Sequence, residues 1–320
     1  MVIDIEGKVN NINLAKDKAL LPLFEAIVNS IQSINALDNK KDTFINITLN
    51  RDYSQIVDKE NENIAEFYPI KNIIIEDNGV GFTEENYSSF SKSDSTYKKA
   101  IGGKGVGRFL WLKAFDNAIV DSTYNNEDKI YNRKFTFSMD REVIRDNENI
   151  EISEGKRSTK IELVNFKEPF RKACTKKLEI IALKIIEHCI SFFILENCPT
   201  ITLEDGFKKI NLNNIFESTI KVNTDISKFM IKENEFEIAH VKLYSWHENK
   251  NLLHFSANKR EVCCKNIEKK IANLKNKIKI DGEDAFIYSV YITGKLLDDN
   301  VNSERTGFNL TNSNEDNFGC

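Results

Sequence analysis

The sequence predicts an α+β protein, and three observations carry that prediction. Apolar residues recur at helical spacing over residues 14 to 37 and again over roughly 174 to 196. Short segments such as FINITLN (44 to 50) and KNIIIEDNG (71 to 79) alternate or run apolar like strands and end in turn residues. Helices and strands follow one another without regular βαβ alternation, which disfavours a doubly wound parallel sheet.

Taken in order, the first helix is set by Leu20, Leu23, Phe24, Ile27, Val28, Ile31 and Ile34. Two strands follow at 44–50 and 71–79, separated by a polar, charged loop. Residues 83–104 read as polar and irregular, and a helix starts at Gly105 and runs to Phe115. Strands are expected at NAIVDST, KIYNRKFTFS and TKIELV, then the long helix, then PTITLED. Beyond about 215 the strands EFEIAHVKLY, LLHFSAN and DAFIYSVYIT are expected, with a helix over about 264–279.

With 320 residues the chain has room for one large or two ordinary domains, and 41% hydrophobic residues can fill a core. The net charge of −4 disfavours a surface basic throughout, without excluding a local basic groove for nucleic acid. The opening MVIDIEGKVN carries no secretion leader, and the apolar stretch 178–195 contains Glu179, Lys184, Glu187 and His188, so no membrane span is expected. The six cysteines show no CxxC pair, and reduced thiols in a cytoplasmic protein are expected.

Three short stretches carry chemistry. AIGGKGVGRFLWLKAF (100–115) packs four glycines, Gly102, Gly103, Gly105 and Gly107, into six residues before turning apolar. Bare backbone N–H groups at such a helix start can converge on phosphate. The loop is not a P-loop, because Gly105 and not Ser or Thr follows Lys104. Nor is it a dinucleotide fingerprint, because no strand precedes it. FEAIVNS sets Glu25 and Asn29 four apart, on one helix face, where a carboxylate could polarise water and an amide could ligate a hard cation. IIIEDNGVGF puts Asp77 at a strand end, followed by Gly79 and Gly81. Alone, each has a plain reading: a flexible loop, an exposed polar helix edge, a surface turn.

The order ExxxN, DxGxG, GxxGxG resembles the Bergerat-type ATP-binding fold of the GHKL superfamily, which includes type II topoisomerase subunits, the ninety-kilodalton heat-shock chaperone, sensor histidine kinases and MutL. The resemblance implies a two-layer α/β sandwich, a mixed sheet with helices on one face, that binds ATP and Mg²⁺. It implies that Glu25 is the general base for water attacking the γ-phosphate and that Asn29 ligates Mg²⁺. Asp77 would accept a hydrogen bond from the adenine amino group, with Gly79 and Gly81 shaping that pocket. Gly102, Gly103, Lys104, Gly105, Val106 and Gly107 would surround the phosphates. Residues 84–104, with Ser93, Ser95, Thr96 and Lys98, would form an ATP lid. Thr159, in STKIEL (158–163), would reach Asp77 through water, with Ser158 standing where glycine is customary.

Later segments resemble MutL in layout: FKEPFRK, a long helix, then CPTITLEDG. HFSANKREV (254–262) resembles a segment of the MutL transducer, a ribosomal-S5-like α/β domain, and LDDNVNSERTGFNL (297–310) resembles the segment whose lysine reaches the γ-phosphate, here Arg305. The implied division is an ATP-binding domain over 1–212 and an S5-like transducer over 213–320. Gln32 and Ser33 stand where MutL has Asp-Ala, and the chain ends fifteen residues after Arg305 without a MutL-type dimerisation region. It therefore does not read as a mismatch-repair protein. It more nearly resembles stand-alone MutL-like and chaperone-like ATPases of bacteria, some of them in defence systems. A DNA-related role is left open, as is the question whether the chain is a fragment of a longer protein. The implied function is a slow ATPase switch that closes its lid and forms an ATP-dependent homodimer for an unknown client. Two other readings stay open: a nucleotide-gated interaction module without turnover, and a histidine-type kinase, which lacks any His before His188.

Overall fold

A computed structural model describes residues 5–54, 68–91, 107–140, 142–194, 198–219, 225–244, 250–258, 260–268, 270–271, 274, 277–280, 282, 285–302 and 307–309. The chain divides into two compact units: residues 1–187 with 197–212, and residues 188–196 with 213–320.

The first unit holds an eight-stranded mixed sheet. Its strands are β1 (Phe44–Arg51), β2 (Ile70–Asp77), β3 (Phe115–Asn126), β4 (Lys129–Ser138), β5 (Ile144–Ile152), β6 (Ser158–Phe166), β7 (Thr200–Glu204) and β8 (Lys209–Asn211), in the order β5-β4-β3-β6-β2-β1-β7-β8. Every pairing is antiparallel except β1 with β7. In the central strands burial alternates. Ile45, Ile47, Leu49, Ile73, Ile75, Val120, Ile161 and Leu163 are buried, while Asn46, Thr48, Ile74, Glu162 and the exposed Ile119 point the other way. Such alternation belongs to a sheet covered on one face and wet on the other.

The cover comes from α1 (Ile5–Asn11), α2 (Leu21–Asn35) and α4 (Gly107–Ala114): α2 packs on β1, β2 and α4, while α4 packs on β3 and α1. A short 3-10 turn at Lys16–Lys18 leads into α2, which begins with Pro22 in its first turn, where a missing N–H costs nothing. Leu23, Ala26, Ile27, Val28, Ile31 and Ile34 are all buried to 1% exposure or less. Full burial of an aliphatic side chain is worth about 1.5–3 kcal/mol, so this face fixes the helix on the sheet.

The helix α3 (Glu84–Ser91) departs from the expectation of irregular chain over 83–104. Thr83 starts it: its Oγ1 accepts the Asn86 N–H at 3.3 Å, and its carbonyl accepts the Tyr87 N–H at 2.8 Å. Aromatic packing then holds it, with Phe90 against Phe135, Phe137 and Trp111. The buried Arg133 donates to the Phe82 and Thr83 carbonyls, pairs with Glu84 and lies 4.3 Å over the Tyr87 ring. Polar composition hid a helix that is anchored on one side by three aromatics.

After β6 come α5 (Glu168–Ala173) and α6 (Leu178–Ile194). Arg51 and Asp205 form a buried pair at 2.8 Å between β1 and the turn after β7.

The second unit has α7 (Leu212–Thr219), a five-stranded mixed sheet and α8 (Lys295–Asn300). The strands are β9 (Asp225–Ile231), β10 (Asn234–Leu243), β11 (Leu252–Ala257), β12 (Arg260–Asn266) and β13 (Ile287–Thr293), ordered β12-β11-β13-β10-β9. The helix expected over 264–279 is corrected. Residues 260–266 are strand β12, paired antiparallel with β11, and the described residues after it make turns such as Lys270 N–H to the Ile267 carbonyl. Pairing along an existing strand overrode a helical pattern in a lysine-rich segment. Cys174, Cys189, Cys198 and Cys264 carry thiols, as expected, whereas Cys263 is disulfide-bonded, since spacing does not report which sulfurs meet in space. Among the described residues no helix is long and apolar enough to cross a membrane.

Candidate functional site

The site is assembled along α2. Glu25, Ser30 and Ser33 follow one another on the helix, and each meets a different part of the first unit. Eight helical residues rise about 12 Å, so these contacts are spread along the length of the helix.

At one end is Glu25, 5% exposed. A side chain added at Gly107, the first residue of α4, would run into Glu25 Oε2 and lie 3.1 Å from its Cδ. The Glu25 carboxylate therefore lies directly against the backbone of Gly107. The arrangement sets an acidic group against the positive end of α4. Asn29 lies one turn further along α2 and is half-buried. Next to it, the buried Ser30 turns towards β2.

At the other end is Asp77, 2% exposed, the last residue of β2. Ser30 Oγ donates to Asp77 Oδ2 at 2.7 Å, and the Gly79 N–H donates to Oδ1 at 2.8 Å. An ionised carboxylate offers about four acceptor positions, and these two donors fix one at each oxygen. The turn beyond is locked in place. Asn78 accepts the Phe44 N–H and donates to the Asp42 carbonyl, and Arg157 donates to the Asn78 carbonyl.

Both glycines of the turn are needed where they stand. A Cβ at Gly79 would lie 2.7 Å from the backbone carbon of Ser33. Gly81 has φ +78°, and a Cβ there would lie 2.9 Å from Ser122 Oγ and from Tyr124 Cβ. Ser33 also accepts the Val80 N–H through its carbonyl at 3.2 Å and the Gly81 N–H through its hydroxyl at 3.4 Å.

Thr159 on β6 stands opposite Asp77 in the antiparallel register and is 3% exposed. Its hydroxyl is 2.8 Å from that of Ser122, which accepts the Phe82 N–H at 3.0 Å. Ser158, in place of the customary glycine, sends its hydroxyl to Glu76 on the other sheet face, 2.9 Å away. It therefore does not crowd Asp77.

The structure thus brings together Glu25 with Gly107, and Asp77 with Gly79, Gly81 and Thr159. Gly102, Gly103, Lys104, Gly105 and Val106, the lid positions Ser93, Ser95, Thr96 and Lys98, and Arg305 lie outside the described residues. Sequence reasoning missed Ser30 and Ser122 and gave Ser33 no role of its own. A serine in a helix or strand carries no pattern, and only the pairing of α2 with the turn after β2 gives these three a role. It also passed over Arg108, 8% exposed, whose guanidinium lies 5.2 Å from the Phe90 ring and 4.8 Å from the Phe109 ring.

No family model matches the chain, and no curated protein matches it. Among solved structures it is similar to the ATPase region of Saccharomyces cerevisiae topoisomerase II, at 15% identity and TM-score 0.44, covering 86% of this chain and 73% of that one. The same region bound to ICRF-187 (dexrazoxane) matches at 14% identity, TM-score 0.44 and the same coverage. The first unit is a mixed α/β sandwich whose sheet is covered by helices on one face, with an aspartate fixed at the end of a central strand.

Proposed function

We propose that the chain binds Mg–ATP and hydrolyses it slowly, as the ATPase module of a conformational switch. One observation carries the reading. A single helix, α2, sets a buried carboxylate against the start of α4 and a hydroxyl on a second buried carboxylate at the end of β2. Those are the two ends that a nucleotide needs: a general base beside a phosphate-binding helix start, and an acceptor for a base amino group.

The residues fit the groups they would hold. Asp77 would take the adenine amino group, with Gly79, Gly81 and Thr159 around it. Asn29 offers an amide oxygen, a hard donor of the kind Mg²⁺ accepts beside its waters and phosphate oxygens. Bound Mg²⁺ would supply charge neutralisation on the phosphates. Gly102, Gly103, Lys104, Gly105, Val106 and Gly107 would cradle them, and Glu25 would hold and accept the proton of the attacking water.

The division into 1–212 and an S5-like transducer over 213–320 belongs to the same proposal, as do lid closure over 84–104 and ATP-dependent pairing of two copies. Arg305 would be the transducer's contact to the γ-phosphate. If so, Arg305→Ala lowers the ratio of ATP-analogue to ADP affinity together with turnover. An unchanged ratio with unchanged turnover makes it a surface arginine.

Phosphate release by Glu25→Ala tests the reading. The variant should keep Mg–ATP while turnover falls by roughly 10²–10⁴. Full turnover would remove Glu25 from the mechanism. If wild type binds ATP and releases no phosphate, the second reading holds: a nucleotide-gated interaction module.

A further inference from the structure

Among the described residues, one group of side chains in the second unit brings three different metal-ligating atoms together: His254, Glu261 and Cys264, all within 4.8 Å of one another. The hairpin of β11 and β12 builds it. His254 and Cys264 are direct cross-strand partners, so their side chains share a sheet face. Glu261 is three residues from Cys264 and by strict alternation would point to the opposite face. The register shifts between Phe255 and Ser256: Cys263 pairs with Phe255, Glu261 with Ser256, and Val262 is left over as a bulge. The extra residue returns Glu261 to the face of His254 and Cys264. Re-aiming a side chain is a recognised use of a bulge.

The second observation is unmet polarity. His254 is 1% exposed, and neither of its ring nitrogens has a hydrogen-bond partner. Its Nδ1 lies 3.2 Å from Glu261 Oε2, yet that oxygen too is buried without a hydrogen bond. Ser256 Oγ, fully buried nearby on β11, is in the same condition. Buried polar groups are satisfied in the great majority of cases, and several orphans in one place call for a missing partner. Tyr291 stacks on the imidazole with ring centroids 4.3 Å apart and fixes its plane.

We propose that His254, Glu261 and Cys264 form a three-ligand site for a zinc-type divalent cation that ties β11 to β12. The donor set is one imidazole nitrogen, one carboxylate oxygen and one thiolate, the mixture that zinc takes and that magnesium does not. In tetrahedral zinc sites, ligand atoms stand about 3.3–3.8 Å apart, as bond lengths of about 2.0–2.3 Å require. The nitrogen–oxygen pair at 3.2 Å already has that spacing, and Cys264, exposed and carrying a thiol rather than a disulfide, needs a shift of about 1 Å. Its exposure gives the ion a way in and leaves the fourth position to water. Binding would release the thiol proton and leave His254 as the neutral imidazole with its proton on Nε2.

The test uses the full, untagged chain without nucleotide, in excess Mg²⁺ so that hard carboxylate sites are masked. Zinc retained after gel filtration is measured by elemental analysis in wild type, Glu261→Gln and Cys264→Ser. These two positions are less buried than His254, and thermal unfolding without metal checks that the variants fold. Wild type should retain about one zinc per chain, and losing a ligand should weaken binding by more than the roughly 10–100-fold that loss of an outer partner costs. Cobalt in place of zinc should give a thiolate charge-transfer band that Cys264→Ser removes. No retained zinc in wild type, or unchanged retention in both folded variants, overturns the proposal.

Discussion

Each of the two sheets carries a buried polar cluster, and the clusters differ in how their polar atoms are satisfied. At the end of β2, Asp77 has both oxygens engaged, by Ser30 and by the Gly79 N–H, while Thr159 and Ser122 bond each other. On β11 and β12, His254, Ser256 and Glu261 leave four buried atoms without hydrogen bonds. The first cluster is complete before any ligand arrives. It holds a carboxylate rigid, as orientation of an organic group requires. The second is incomplete, and a cation would engage two of those atoms, His254 Nδ1 and Glu261 Oε2. Rigidity in the one and deficit in the other suggest different ligands.

The comparison breaks most easily at Gly81. Alanine there must hold φ near +78° and place its methyl 2.9 Å from Ser122 Oγ and Tyr124 Cβ. Backbone strain of about 1–2 kcal/mol and overpacking of about 1–3 kcal/mol add to a loss of roughly 2–5 kcal/mol in the first unit. Urea unfolding measures it, and nucleotide affinity should fall with it. An equally stable Gly81→Ala protein would mean that the turn relaxes freely, and the first cluster would not be rigid.

Next in size is Asp77→Asn. An amide keeps one acceptor oxygen where two donors, Ser30 Oγ and the Gly79 N–H, now converge on two. The adenine amino group would lose its partner at a cost of about 1–3 kcal/mol. ATP-analogue affinity should drop by roughly one to two decades in calorimetry. An unchanged affinity would place the base elsewhere and leave Asp77 a structural residue.

What the sequence made legible follows the same division between interior and edge. The strands it revealed, such as β2 and β6, are interior ones, buried on one face and alternating over most of their length. The strands it missed or misread are β5, β8, β9 and β12, and all four are sheet edges. β5 (IRDNENIEI) and β9 (DISKFMI) bury almost nothing, so no apolar alternation marks them. Edge strands tolerate charge and even favour it as protection against further pairing. In the candidate site, Glu25, Asp77, Gly79 and Gly81 were singled out because three short motifs occur in an order that resembles a known family, each motif alone having a plain reading. Ser30, Ser33 and Ser122 were not, because their roles come from contacts across 47, 48 and 37 or 40 residues of chain. The bulge at Val262 was equally hidden: alternation alone puts Glu261 on the wrong face.

The finest test sets two serines against each other. Ser30 and Ser256 are both almost fully buried, and each loses one hydroxyl on substitution by alanine. Ser30→Ala removes a donor from a buried carboxylate, and bonds to charged groups are worth about 1.5–3 kcal/mol, so the first unit should be weakened by about that much. Ser256→Ala removes an oxygen whose desolvation no partner offsets. Leaving a buried polar group unsatisfied costs about 1–3 kcal/mol, and a small void offsets part of the gain, so the metal-free protein should be more stable by roughly 1 kcal/mol. The two changes are chemically identical and should shift unfolding in opposite directions. If both destabilise alike, the Ser256 hydroxyl has a partner, which in a polar cavity would be water. The second cluster would then be hydrated and complete, and the contrast with the Asp77 end, on which its assignment to a cation rests, would disappear.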